Sequence, residues 1–200
     1  MFTRVWSVLV ALALMAMVIG CAEAPEEAMK ASDAAIQTAQ TAEAEQYAPE
    51  TYGEAMDSLN AAKAEVKAQD SKFSLFRDYD RAEALLAASQ RLAQQAQTDA
   101  AAAKERVRVE DSTLISNIEV LLADTKTALA SAPKGKGTKA DIEMITADLT
   151  AAETAFADAK ATFQAGKYLQ AKTKLEAAQT RIGGIMQEIE AAKAKASGKR

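Results

Sequence analysis

Cys21 is the only thiol in a chain of 200 residues that contains no histidine. It closes the run Val18-Ile19-Gly20-Cys21, behind an apolar segment from Val5 to Ile19 that follows the cation Arg4. A positive start, a short apolar stretch and small or apolar residues before a cut are the parts of an export signal. The residue types therefore point to cleavage between Gly20 and Cys21. They also point to lipid attachment at the Cys21 sulfur, whose thiolate is the reactive form.

The pattern resembles the signal of bacterial lipoproteins. That resemblance implies a diacylglycerol on the Cys21 thiol, removal of residues 1–20, and acylation of the new amine. Ala22 follows the cysteine where an aspartate would favour inner-membrane retention, so the resemblance points to the periplasmic face of the outer membrane. Two other readings of the segment remain. A spanning helix needs ~20 apolar residues, and Val5 to Ile19 falls short of that. An ordinary cleaved signal with an incidental cysteine is the second.

The rest of the chain is poor in reactive chemistry. Without histidine the commonest general base and zinc ligand is missing, and an acylated Cys21 is no nucleophile. Asp78 and Asp80, two residues apart on a helix, point to different sides. No calcium loop of spaced Asp/Asn, Gly and Glu is present. Gly135-Lys136-Gly137-Thr138-Lys139 lacks the spacing of a phosphate loop and follows a helix instead of a strand. Glu153, Asp158, Lys160, Lys172 and Glu176 read as solvated helix-face charges. No catalytic residue, metal site, cofactor or small-molecule substrate is expected, and an enzyme would need a carboxylate pair assembled by the fold.

The elements that carry these residues are read from composition. After residue 20, 45 of the remaining 180 residues are Ala, and only Pro25, Pro49 and Pro133 are proline. Alanine has the highest helix propensity and β-branched residues are sparse, so an all-α fold is expected. Methyl side chains let helices approach closely but bury little area each. The expected architecture is an elongated antiparallel bundle of two long helical hairpins with a narrow seam, poorly suited to enclosing a ligand.

Residues 21–48 read as an acylated start and a weakly amphipathic helical tether. Pro49 suits a helix first turn. A first hairpin is expected over 49–131, with Tyr52, Met56, Leu59, Ala62 and Val66 at helical spacing and a turn at Asp70-Ser71-Lys72. Its second helix is expected to start near Phe73 to Phe76 and to span 74–131. Leu86, Ala93, Ala100, Val107, Leu114, Leu121 and Ala128 keep a seven-residue interval along it. Its weak point is Val109 to Thr113, where Asp111 or Ser112 could cap a fresh start. A loop over 132–138, around Pro133-Lys134-Gly135-Lys136-Gly137, precedes a second hairpin at 139–197.

The first hairpin recurs in the second. Leu149, Ala152, Phe156 and Phe163 repeat Leu59, Ala62, Val66 and Phe73 at an offset of 90, and Tyr168, Ala171, Leu175 and Ala178 repeat Tyr79, Ala82, Leu86 and Ser89 at 89. In the second copy, Gly166-Lys167-Tyr168-Leu169-Gln170-Ala171 resembles the turn of a tetratricopeptide hairpin. The resemblance implies a left-handed Gly166, a Tyr168 that plugs the hairpin end, and an Ala171 that admits a close helix. Arg77 stands in place of that glycine in the first copy, and the ~90-residue interval is far from the about 34 of a tandem array. Ala48-Pro49-Glu50 and the Ala/Leu helix after it are also similar to a family of small bacterial lipoproteins whose helical domain has no assigned function. The aromatics Tyr52, Phe73, Phe76, Tyr79, Phe156, Phe163 and Tyr168 are expected to close the bundle ends, with peptide anchoring as the alternative. Gly183-Gly184 reads as a close helix crossing or a kink.

Charge narrows the partners. Without Arg4 there are 23 basic and 28 acidic residues, a balance of −5. No basic face runs through the chain, so nucleic-acid binding is excluded. The cations Lys193, Lys195, Lys199 and Arg200 are expected to offset a helix macrodipole beside the terminator Ser197-Gly198, with contact to an anionic surface such as cell wall or lipid headgroups as the alternative. The expected partners are membrane lipid, through acylated Cys21, and another periplasmic or outer-membrane protein. A structural or adaptor role is the leading expectation, and a holdase-type chaperone for outer-membrane clients is the alternative.

Overall fold

The computed structural model describes residues 23–133, 139–196 and 198, and among these every regular element is helical. The order is α1 (Glu26–Thr41), α2 (Ala44–Tyr47), α3 (Pro49–Asp70), a 3₁₀ turn (Ser74–Phe76), α4 (Asp80–Ala130), α5 (Lys139–Gln164) and α6 (Tyr168–Ala196). The expected 1–20 signal segment and most of the expected 132–138 loop lie outside the described residues. Local signals explain the boundaries. Glu26 and Glu27 occupy the first turn of α1, where anions favour the dipole, and Pro49 opens α3 without forfeiting a hydrogen bond.

The chain divides between Ala102 and Ala103 into two compact units. This corrects the expected division at the 132–138 loop: α4 runs without a break across Val109 to Thr113 and supplies a helix to each unit. Each unit therefore holds three main helices rather than a hairpin. The start of α4 at Asp80 is later than expected, because residues 71–79 form a structured loop.

In the first unit α1 is no tether. Its Ser32, Ile36 and Ala39 are buried, and they join Ala55, Leu59 and Ala62 of α3 with Leu86, Ala93, Ala96 and Ala100 of α4. The small side chains bring the backbones close enough for hydroxyls to reach across. Ser32 Oγ donates to the Leu86 carbonyl at 3.1 Å, and Ser89 Oγ to the Ala55 carbonyl at 2.9 Å. Gln90 Nε2 donates to the Ala28 carbonyl and to Ser32 Oγ. These bonds satisfy buried hydroxyls that would otherwise carry a desolvation penalty.

The second unit packs α5 and α6 against the last part of α4. Ile142, Ile145, Leu149, Ala152 and Phe156 face Leu175, Ala178, Ile182, Ile185 and Ile189, with Ile118 of α4 fully buried beside them. Burial follows the internal repeat. Leu59 and Leu149, Ala62 and Ala152, and Val66 and Phe156 are all buried, as are Ala82 and Ala171, and Leu86 and Leu175. It continues through Ala93, Ala96 and Ala100, whose partners 89 residues on are Ile182, Ile185 and Ile189. The second unit thus places branched chains where the first has methyls.

The seven-residue row on α4 holds only as far as Ala100. Val107, Leu114, Leu121 and Ala128 are half-buried, whereas Asp111, Ile118 and Thr125 are fully buried. A straight α-helix drifts by about 20° per heptad, so one row cannot stay on a seam over the six heptads from Leu86 to Ala128. The step from Ala100 to Asp111, eleven residues, restores the buried side. Gly183 and Gly184 do not mark a close crossing, since no atom outside their own helix lies within 4 Å of a Cβ built at either position.

Two sets of substitutions test this packing. Ala62→Leu should destabilise the first unit by about 1–3 kcal/mol in a thermal melt, because the site is fully enclosed, whereas Ala61→Leu on the exposed side should stay within about 0.5 kcal/mol. Gly184→Ala should stabilise by roughly 0.5–1 kcal/mol, since it sits inside a helix with open space around it.

Candidate interaction surfaces and a buried carboxylate

Cys21 and the cleavage residues Val18, Ile19 and Gly20 lie outside the described residues. The chain is described from Glu23, and Ala24 already packs against a cluster of Val66, Tyr79 and Ala82. That cluster closes one end of the first unit, where α3 leaves for the loop and α4 begins.

The loop between α3 and α4 is the most polar-bonded segment of this unit. Arg77 donates from Nε to the Lys72 carbonyl at 3.1 Å and from Nη2 to the Asp70 carbonyl at 3.0 Å. Tyr79 Oη donates to Asp70 Oδ1 at 2.5 Å, and the Asp78 amide donates to Gln69 Oε1 at 3.1 Å. The Asp70 carboxylate that accepts the Tyr79 hydroxyl, together with burial, pushes the phenol pKa up. Asp78 and Asp80 form no acid pair; Asp78 Oδ1 accepts the Asp80 amide at 2.9 Å and starts α4.

On this framework the loop presents its apolar side chains to solvent. Phe73 and Leu75 are 68% exposed and Phe76 74%, which corrects the expectation that Phe73 and Phe76 close the bundle. Tyr79 and Phe156 are buried, whereas Tyr52, Phe163 and Tyr168 are half-buried. The repeat partner of Phe73 behaves differently, because Phe163 lies against Tyr168 with ring centroids 5.3 Å apart. There Gly166 takes φ +76, its amide bonds the Phe163 carbonyl, and Ala171 is fully buried. The tight glycine turn keeps its aromatics half-buried; the longer loop built on Arg77 leaves Phe73 and Phe76 exposed.

Asp111 is the one chemically unusual group of the second unit. It is no helix cap. Its side chain is fully buried on α4, and neither carboxylate oxygen has a hydrogen-bond partner. Burial pushes its pKa up to about 6, with Glu110 and Glu176 adding to the rise and Lys172 opposing it. The Lys172 ammonium is held by Glu110 at 2.7 Å, so the nearest cation is already engaged at the surface. That pairing lowers the Glu110 pKa and raises that of Lys172.

Of the charges read as solvated, Glu153, Asp158, Lys160 and Lys172 are paired across helices. Lys160 meets Glu119 at 3.0 Å, Lys126 meets Glu153 at 3.1 Å, and Lys174 meets Asp158 at 2.7 Å, all at exposed positions where a pair is worth ~0–1 kcal/mol. They favour one pairing of helices more than they stabilise it. The outward side of α4 in this unit carries no charge along Val109, Thr113, Ser116, Val120 and Ala123, all exposed. Thr113 and Ser116 return their hydroxyls to carbonyls four residues back on their own helix, at 3.0 and 3.2 Å. A stripe without charge, whose hydroxyls are internally bonded, is inexpensive to desolvate.

Among the described residues no group of three acidic, histidine or cysteine side chains could hold a metal ion, and no helix is long and apolar enough to cross a membrane. Residue spacing alone carried a trace of Asp111, which lies seven residues from Ile118 and fourteen from Thr125. The exposure of Phe73, Leu75 and Phe76 had no such trace. No protein-family model, curated protein or solved structure matches this chain.

The buried carboxylate predicts an unusual pH dependence. A carboxyl whose folded-state pKa is raised binds its proton more tightly in the native state, so stability is greatest below the unfolded value of 3.8 and falls as pH rises through about 6. At pH 7 the loss is about 3 kcal/mol. Asp111→Leu should therefore raise the melting temperature at pH 7.5 and lose most of that gain by pH 4. An equal effect at both values would refute the assignment. Gly166→Ala should destabilise by about 1–2 kcal/mol, since its positive φ strains an L-residue.

Proposed function

We propose that this chain is a lipid-anchored protein of the bacterial envelope. Acylated Cys21 holds it at the periplasmic face of the outer membrane, and it acts without catalysis, as a structural or adaptor protein that engages another envelope protein through its helices. The observation that carries this reading is the start of α1 at Glu26, five residues beyond Cys21, and the burial of its Ser32, Ile36 and Ala39 in the first unit. A lipid on that cysteine would hold a folded helical unit directly, instead of through a slack tether. Stable anchoring takes two hydrophobic signals, as the resemblance to bacterial lipoproteins implies for the cysteine.

The partner surface that fits an adaptor best is the uncharged outward stripe of α4, Val109 to Ala123. Helix-to-helix recognition reads residues at this spacing, and close approach is favoured by small side chains. Three helices packed through narrow seams also suit a structural part better than a ligand-binding one.

Two measurements test the proposal. Cys21→Ser should abolish incorporation of labelled palmitate in cells and leave residues 1–20 uncleaved; labelling that persists in this variant would exclude the site. A photo-crosslinking residue in place of Ser116 or Val120 should trap one discrete partner of fixed mass. A broad ladder of many clients would favour the chaperone reading, and no product at either position would remove the stripe as the contact face.

A further inference from the structure

We infer that the loop tip formed by Phe73, Leu75 and Phe76 inserts into the lipid interface beside the acylated cysteine and is a second membrane contact of the first unit. The inference rests on the proposed lipid anchor for its setting, but its evidence is separate.

The first observation is juxtaposition. Ala24 packs against Val66, Tyr79 and Ala82, and Tyr79 is the residue that ends the loop, tied by its hydroxyl to Asp70 at the loop's other side. Cys21 is three residues from Ala24, and an extended chain spans at most about 3.6 Å per residue. The sulfur is thus confined to within roughly 11 Å of the Ala24 backbone plus a side-chain length. A bilayer holding that lipid has to lie at this end of the unit, where the loop is.

The second observation is the conflict between order and exposure within the loop. The two Arg77 bonds, the Tyr79 bond to Asp70 and the Asp78 amide bond to Gln69 fix its backbone. Yet the three large apolar side chains it carries are each more than two-thirds exposed. Phe73 and Phe76 make a ring contact with centroids 6.4 Å apart, so they form one patch. A held loop that displays clustered apolar groups marks a contact with lipid or protein.

The flanking charges are mixed, since Lys72 and Arg77 border the patch and so do the exposed Asp70, Asp78 and Asp80; the position beside the anchor is what selects lipid. A second copy or a protein partner would also cover the patch, but neither would be brought there by the anchor.

The test uses the full chain, expressed, processed and reconstituted in vesicles of phosphatidylethanolamine and phosphatidylglycerol. Trp6 is the only tryptophan, so Trp6→Phe/Phe76→Trp leaves a single reporter whether or not residues 1–20 are removed. Its emission should shift to the blue in vesicles and be quenched by lipids brominated on their acyl chains. The same reporter at Gln97, exposed on α4 of the same unit about 25 Å along the helix from the loop, should stay unquenched. Phe73→Ser/Leu75→Ser/Phe76→Ser should lower vesicle retention of the Cys21→Ser protein with residues 1–20 deleted by about tenfold or more.

Palmitate labelling is read in parallel. Labelled protein without quenching at position 76 overturns the loop contact and leaves the anchor standing. Quenching without labelling supports the loop contact and removes the anchor. A blue shift that is independent of lipid shows that protein covers the patch, and it overturns the inference.

Discussion

Close approach of helix backbones through alanine and serine is the constraint from which the rest of the first unit follows. Where side chains shrink to a methyl, a serine on one helix reaches a carbonyl on the next, as Ser32 does to Leu86 and Ser89 to Ala55. Each such contact supplies little burial, so the unit needs length and a third helix to complete its core. Hence α1 is drawn into the bundle through Ser32, Ile36 and Ala39, which share one face. This in turn holds Ala24 against the α3–α4 end.

The second unit solves the same problem with larger side chains. Ile182, Ile185 and Ile189 stand where the first unit has Ala93, Ala96 and Ala100. More area buried per residue leaves room for a feature that opposes folding, the unpartnered Asp111. A charge in that place weakens the unit above pH 6 and leaves it strongest in acid. Substitution by an apolar residue would relieve the penalty without touching the surrounding ion pairs of Glu110, Lys172 and their neighbours.

The two turns of the repeated hairpin differ for a physical reason. Gly166 adopts a left-handed conformation without Cβ strain, and the chain reverses in a few residues with Phe163 and Tyr168 in contact. Arg77 lacks that freedom, so the first copy turns through a longer loop with a 3₁₀ segment, closed by its guanidinium on two backbone carbonyls. The extra length carries Phe73, Leu75 and Phe76 outward. The change in turn chemistry leaves Phe73 facing solvent where its counterpart Phe163 packs against Tyr168.

The all-α class was legible in the residues themselves, because alanine abundance and scarce β-branched side chains act locally through propensity. So were the Pro49 start, the Gly166 turn and the repeat of buried positions, since spacing and backbone freedom are properties of short segments. The fate of α1, the division at Ala102, the burial of Asp111 and the exposure of Phe73 and Phe76 were decided only in three dimensions. An alanine-rich helix has no strongly preferred face, so its neighbours choose which side is buried. A helical row also drifts about 20° per heptad, so only the packed partners determine where the seam lies along fifty residues of α4.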